Sequence, residues 1–295
     1  MRTSTSAWAP SHATLYFAVP ENKDASDLLH QGSLGGGLNF EEGVITTVTI
    51  SDNDRIFYNE VEIEGEITQT VLRIFRERTG NSSAVEVKHK SRITTGCGLS
   101  TSGAGSISLA LSLNELLGTQ LDDIQCLQMA HEAEIICKTG LGSVLAQSVA
   151  GIEIRRSVGA PGIGTVHNKV ISDVIILIIL GPLSTKDVLT SEEKMKLVTQ
   201  TGTEIHSKIP ENVTTEEMIQ YGKYFTNHCG LMTDRVSTVL DDLRKIGEEK
   251  ATMAMIGETI VVSPNDKIKV LNYCEKNYLY HIETRLSSKI PHLLT

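Results

Sequence analysis

Thr94-Thr95-Gly96-Cys97-Gly98-Leu99-Ser100-Thr101-Ser102-Gly103-Ala104-Gly105 is the stretch on which the reading of this chain turns. It follows Ala84 to Ile93, where Val85 and Val87 alternate with polar residues and predict a strand. It runs into Ala104 to Leu117, where Ile107, Ala110, Leu111, Leu113 and Leu117 supply the apolar face of a helix. Ser102 is the expected N-cap of that helix, and Gly118 its stop. Strand, Gly/Ser turn and helix in this order suit a polyphosphate. Glycines let backbone N–H groups converge on an anion, and a helix N-terminus adds unsatisfied donors and about half a positive charge. The hydroxyls of Ser100, Thr101 and Ser102 can bond phosphate oxygens or ligate Mg²⁺, which prefers hard oxygen ligands. The competing reading is a Gly-rich turn with an ordinary Ser cap.

Two other glycine motifs fail here. No G-x-x-x-x-G-K-[ST] occurs, which excludes a P-loop. The G-x-G-x-x-G dinucleotide fingerprint breaks at its sixth position, Thr101, and no downstream strand ends in a suitably spaced acid. A NAD-dependent oxidoreductase is thereby disfavoured.

Outward from the turn, 295 residues suffice for two domains. With 40% hydrophobic and 21% charged residues the chain reads as globular. A net charge of -9 argues against nucleic-acid or anionic-membrane partners, which need a positive footprint. The 5 cysteines are odd in number, scattered and without a C-x-x-C pair, so reduced thiols are expected. Arg2 is followed by no apolar signal core, and the greasiest run, Val174 to Leu180, is far short of the about 20 residues that cross a bilayer. It reads as a buried strand in a cytoplasmic protein.

Strands are expected at Ala13 to Val19 and Gly43 to Ser51, with Gly32 to Gly37 between them as a loop open to close backbone or ligand approach. Ile56 to Ile63 reads as part of a strand pair, Thr68 to Thr79 as a helix capped by Gly80, and Asp122 to Lys138 as a helix capped by Asp122 or Asp123. Gly140 to Gly142 is a turn, Gly151 to Arg156 a short strand, and Ser157 to Gly164 a linker. The second half reads as a strand over Val170 to Leu180. Helices follow at Ser191 to Lys208, Thr215 to Phe225 and Leu231 to Ile246, then strand, helix and strand at Thr259 to Ser263, Asp266 to Lys276 and Tyr278 to Thr284. The fold class expected is α+β in two layers.

Gly98 to Ala104 resembles the G-L-G-S-S-A-A motif of the GHMP kinases. Further segments are similar to the archaeal pantoate kinase group. They are Ala9 to His12, Gly32 to Gly37, Ser100 to Ser112, Ala130 to Glu134, Thr139 to Gly142, Gly159 to Gly162 and Met253 to Gly257. They come in order and cover most of the chain. The resemblance implies a domain like domain 2 of ribosomal protein S5 over 1–165, carrying the ATP loop, and a ferredoxin-like domain over 166–295. It implies ATP and Mg²⁺ as cofactors, with Gly96, Gly98, Leu99, Ser100, Thr101, Ser102, Gly103 and Ala104 on the nucleotide. Ser102 (or Thr101) and Glu134 would hold the metal, and Arg155 the substrate. The Met253 to Gly257 segment takes the place of the family's third motif but lacks its run of glycines.

Glu134 shares a helix face with His131 and Lys138, and its bland alternative is a solvated Glu134–Lys138 pair, with Glu132 as the fallback carboxylate. Arg155 and Arg156 must point to opposite faces of their strand, so only one enters a given site. His12 could hydrogen-bond substrate or be plain scaffold.

Ser143 is the departure: the resembled group has Asp after Thr-Gly-Leu-Gly, and the resemblance implies a catalytic-base role for that Asp. A serine cannot serve as a base at neutral pH. Phosphoryl transfer tolerates the loss, because a loose transition state depends on positioning and charge stabilisation. A carboxylate about 4 Å from a substrate phosphate would be repelled by about 4 kcal/mol at an effective dielectric of about 20, so Ser143 favours a more anionic substrate. On that ground the expected acceptor is the primary hydroxyl of mevalonate 3-phosphate, in isoprenoid biosynthesis. Pantoate and a non-catalytic nucleotide-binding relative are the alternatives. The partner expected is thus a small anionic hydroxy acid, with a homodimer left open.

Overall fold

A computed structural model of the chain describes residues 3–20, 27–183 and 192–295. Two long strands, β1 (Ser4–Ala18) and β2 (Leu34–Ile50), pair antiparallel along almost their whole length. The outer half of β2 pairs with β5 (Val85–Lys90), which lies parallel to β3 (Arg55–Tyr58), itself paired with β4 (Val61–Glu62). The inner half of β2 pairs instead with β6 (Ile152–Arg155), and β6 with β7 (Val166–Lys169). β12 (His292–Leu294) closes the other edge against β1. The described residues thus form an eight-stranded sheet.

Gly35 to Gly37 belong to β2, not to the loop expected there. The reason is crowding, which the sequence reading had located but assigned to a loop. A Cβ on Gly35 would overlap the Arg155 guanidinium, one on Gly36 the Tyr16 ring, and one on Gly37 the His12 ring and the Ala13 carbonyl. These glycines face a bulge in β1, between Thr14 and Tyr16. Bulges re-aim side chains, and here the strand turns into the cleft described below.

Helices α1 (Glu66–Thr79), α2 (Thr101–Leu117) and α3 (Asp123–Cys137) cover one face of this sheet. Left-handed Gly80 and Gly118 end α1 and α2 as expected, and Asp122 caps α3 in a capping box with Gln125. Helix α2 is buried nearly all round, which its small residues Gly103, Ala104, Gly105, Ser106, Ser108, Ala110 and Ser112 permit. Its N-cap is Ser100, not the expected Ser102, which sits in the first turn. A short helix α4 (Ser143–Gln147), unmarked by any periodicity, leads into β6. The expected linker Ser157 to Gly164 is the connection between the paired strands β6 and β7, and Ala160 N–H donates to Leu29 O (2.8 Å). The first sheet therefore runs past residue 165, where the domain division was expected.

The second sheet has the order β11 (His281–Arg285), β8 (Val174–Gly181), β10 (Glu258–Val262), β9 (Ala251–Met253). Helices α5 (Glu192–Lys208), α6 (Thr215–His228) and α7 (Asp234–Lys245) come between β8 and β9, and α8 (Lys267–Lys276) between β10 and β11. That is the β-α-β-β-α-β order of a ferredoxin-like unit. Ser191, the expected start of α5, lies outside the described residues. Both faces of β8 are covered. Ile175, Leu177 and Ile179 share a core with Leu15 and Phe17 of β1, while Ile176, Ile178 and Leu180 pack under α7 and α8. Continuous burial is why Val174 to Leu180 shows no alternation. Among the described residues no helix is long and apolar enough to cross a membrane.

Candidate active site

A cleft of about 930 Å³ opens where the two sheets meet. Its floor is the turn from Gly96 to Ser102. Gly96 (φ 80°) and Gly98 (φ 81°) take left-handed conformations that favour glycine, and Ser100 (φ 46°) joins them. The carbonyls of this turn are tied to the protein body. Gly96 O accepts from Leu183 N–H (3.2 Å), Cys97 O from Thr259 Oγ1 (2.7 Å), Leu99 O from His12 N–H (3.1 Å) and Ser100 O from Gln147 Nε2 (3.0 Å). No side chain caps α2, so its first-turn amides keep their donors for a ligand. With carbonyls bound behind and amides uncommitted in front, the turn has the donor arrangement that suits an anion.

Behind it lies the turn after β9. Met255 and Ile256 line the cleft, Ile256 in a left-handed conformation (φ 63°). A Cβ on Gly257 would overlap the backbone of Cys97 and Gly98. The segment expected as a third motif therefore buttresses the anion turn through one glycine. Of the residues expected on the nucleotide, Gly96, Gly98, Leu99, Ser100, Thr101 and Ser102 line the cleft. Gly103 and Ala104 do not: Gly103 makes room for Gln147 Oε1, and Ala104 is in the core of α1 to α3.

The second wall is the turn from Thr139 to Ser143. Glu134 is 1% exposed and sits beneath it rather than on the cleft surface. Its Oε1 accepts from Thr139 Oγ1 (2.7 Å) and its Oε2 from Ser143 Oγ (2.5 Å). Gly140 leaves this carboxylate close to the cleft, since a Cβ there would overlap Glu134 Oε2. The bland Glu134–Lys138 pair does not form. Lys138 caps α3 in a left-handed conformation, lines the cleft and makes no ion pair among the described residues. Glu132 pairs with Arg78 instead. Sequence reasoning named Lys138 only in the bland alternative of a surface pair and missed its place on this wall. The helix was expected to end at Lys138, and the left-handed cap there is what turns it away from Glu134.

The third wall comes from β1, the start of β2 and β6. Thr14, Ser33 and Arg155 line it, and Arg155 is 1% exposed. Arg156 turns the other way, to the carbonyls of His206 and Ile209, as strand alternation requires. Arg155 Nη1 donates to Glu153 Oε1 (2.9 Å), and His12 Nε2 meets the same oxygen at 3.0 Å. His12, expected either to hydrogen-bond substrate or to serve as scaffold, is fully buried one layer behind the wall. Burial holds its pKa below the usual value despite the Glu153 hydrogen bond, which keeps the ring neutral and makes Nε2 the donor. Glu153 was missed at the sequence level. Its sign was the Ile-Glu-Ile-Arg alternation, which puts Glu153 and Arg155 on one strand face. Arg155 Nε has no partner among the described residues.

Opposite Arg155, Tyr58, Ile63, Ile67, Thr68 and His89 make a more apolar end. His89 is held between Thr46 Oγ1 (2.8 Å) and Thr68 Oγ1 (3.0 Å), and burial pushes its pKa down to about 4. An unfolded chain takes up that proton near 6.5, the folded one only near 4. Below about 6.5 the unfolded state therefore binds more protons, and stability falls as pH falls, by about 3 kcal/mol in all for this ring. His12 and His131, also lowered by burial, act with the same sign. Urea unfolding should show a lower midpoint at pH 5 than at pH 7, and His89→Gln should flatten that slope. Equal midpoints would contradict the buried neutral ring.

Among the described residues that line the cleft there is no aspartate or glutamate, and the full positive charges are Lys138 and Arg155. Among the described residues no group of three His, Cys, Asp or Glu could hold a metal.

Residues 66–151, from α1 to the start of β6, match the family model for the GHMP kinases N terminal domain. The chain is 29% identical over 256 residues to a pantoate kinase of Methanocaldococcus jannaschii, covering 86% of this chain and 90% of that one. It is 29% identical over 272 residues to a pantoate kinase of Thermococcus kodakarensis, covering 88% of each. A solved structure described as a phosphotransferase related to the CoA biosynthesis pathway has the same fold. Its TM-score is 0.86 at 24% identity, over 99% of this chain and 98% of that one.

Proposed function

We propose that the chain is a kinase of the GHMP type, the family whose N-terminal-domain model matches residues 66–151, and that it is ATP-dependent with the primary hydroxyl of pantoate as its acceptor. The observation that carries the acceptor is Arg155, the guanidinium on the wall facing away from the apolar end, which Glu153 holds by one terminal nitrogen only. Pantoate brings one carboxylate to one guanidinium, a pairing that planar Arg suits. Mevalonate 3-phosphate brings a phosphate as well, and among the described residues the lining offers no further full cation for it once Lys138 serves the nucleotide. The specificity argument from Ser143 also weakens, because its hydroxyl is turned to Glu134.

The residues present fit both cofactors. The amides and hydroxyls from Gly98 to Ser102 would hold the ATP phosphates, and the apolar wall at Tyr58, Ile63 and Ile67 the base. Mg²⁺ keeps several waters and takes one or two carboxylates plus phosphates, so Glu134 with the Ser102 hydroxyl suffices. When bound, it neutralises charge on the phosphates. The chain itself aligns the two reactants. The α2 amides and Lys138 draw charge from the transferring phosphoryl group, and Arg155 holds the acceptor carboxylate so that its far hydroxyl faces that group. The new O–P bond forms as the bond to ADP breaks, and the hydroxyl proton leaves late, as a loose transition state allows, passing to an oxygen of the transferred phosphoryl group. Ser143 holds Glu134 in place through its hydrogen bond.

A coupled ADP-release assay with pantoate, mevalonate 3-phosphate, mevalonate and homoserine tests this reading. Turnover with pantoate alone is expected. Preference for mevalonate 3-phosphate, or ATP binding with no turnover of any of them, would overturn it.

A further inference from the structure

Across the inner half of β2 the register places Thr14 opposite Gly37, and Gly37 opposite Glu153. Paired residues send side chains to the same face, so Thr14 and Glu153 flank a glycine with no side chain between them. That gap admits the His12 ring, which crosses β2 to reach Glu153. Next along, Gly35 opposite Arg155 makes room for the guanidinium. Glu153 is 0% exposed, and its Oε1 carries both contacts. On the cleft side, Thr14 Oγ1 lies 3.5 Å from His12 Nδ1.

The protons in this chain of contacts follow from its ends. Glu153 only accepts, so His12 Nε2 must donate to it, and a neutral imidazole then has Nδ1 as its acceptor. The remaining hydrogen-bond partner of Nδ1 is the Thr14 hydroxyl, which turns its proton inward and leaves its lone pairs toward the cleft. Glu153 also holds one terminal nitrogen of Arg155, fixing the fork with its other donors uncommitted.

We infer that Glu153 is a positioning residue that polarises this wall for a 2-hydroxy acid, setting Arg155 as donor to the carboxylate and Thr14 Oγ1 as acceptor for the neighbouring hydroxyl. The inference rests on the proposed function and adds the feature by which the acceptor is chosen. A substrate lacking the 2-hydroxyl leaves the Thr14 lone pairs unanswered in a partly buried wall, where an unmet polar group is costly.

The test compares pantoate with its 2-deoxy analogue, 4-hydroxy-3,3-dimethylbutanoate, on the full-length protein. Wild type should prefer pantoate by about 100-fold in kcat/KM. Thr14→Val should reduce that preference to about threefold or less, and Thr14→Ser, which keeps the hydroxyl, should restore it. Glu153→Gln should raise the KM for pantoate about 100-fold while the KM for ATP stays within about threefold, a split that general loosening of the fold would not give. A wild type indifferent to the 2-hydroxyl overturns the inference, as does a Thr14→Val protein with its preference intact. So does a Glu153→Gln protein with both KM values raised alike. If Glu153→Gln does not fold, the two Thr14 variants decide alone. Absence of pantoate turnover in the wild type would overturn the functional reading and this inference with it. Turnover without discrimination would overturn only the inference.

Discussion

Glu134→Gln is expected to lower kcat by about 100- to 1,000-fold, with thermal unfolding close to wild type. The substitution keeps the shape of the side chain and removes its charge. Glu134 is buried under the Thr139–Ser143 turn with both oxygens occupied by hydroxyl donors. An amide can accept from one of those hydroxyls, while its NH₂ can meet the other only if that hydroxyl turns to accept. The structural cost is therefore about 1 kcal/mol. The catalytic cost is larger, because no aspartate or glutamate lines the cleft among the described residues and Glu134 lies just beneath its Thr139–Ser143 wall, while Glu153 is taken up by Arg155 and His12. Steady-state kinetics beside a melting curve separate the two. A normal kcat in a folded Glu134→Gln protein would remove Glu134 from the chemistry.

Arg155→Ala is expected to act twice. It removes the carboxylate fork, raising the pantoate KM about 100-fold or more while the ATP KM stays near wild type. It also leaves Glu153 in a dry core with only His12, which breaking a buried pair costs about 3–5 kcal/mol. Adding Glu153→Gln should recover part of the stability but none of the affinity, a coupling that a double-mutant cycle measures. Strictly additive losses of stability would mean that the pair is not coupled.

Much of the fold was legible because its signals were local. The helices over 66–79, 101–117 and 123–137 carry their apolar faces and their Gly or Asp caps in sequence. The turn at Gly96 to Ser102 was legible for the same reason: φ-permissive glycines just before a helix start mark a tight left-handed turn. What was not legible depended on partners far away in sequence. Gly35 to Gly37 read as a loop, because nothing nearby reveals the rings and guanidinium that occupy their missing side chains. Ser102 read as the cap, because the left-handed Ser100 that starts α2 is set by Gln147 and the turn it holds. His12 read as either a substrate contact or scaffold, because nothing nearby in sequence reveals its hydrogen bond to Glu153, 141 positions away. Ser143 read as a substrate selector, when its nearest charge is Glu134. That last contact, with the archaeal relatives, moves the reading from mevalonate 3-phosphate to pantoate.

The most direct test of the two-ended cleft is a crystal structure of the protein with a non-hydrolysable ATP analogue, Mg²⁺ and pantoate. The account predicts the terminal phosphates on the amides from Gly98 to Ser102, the base against Tyr58, Ile63 and Ile67, and the pantoate carboxylate on Arg155. A nucleotide bound away from that turn, or a carboxylate that leaves Arg155 uncontacted, would contradict it.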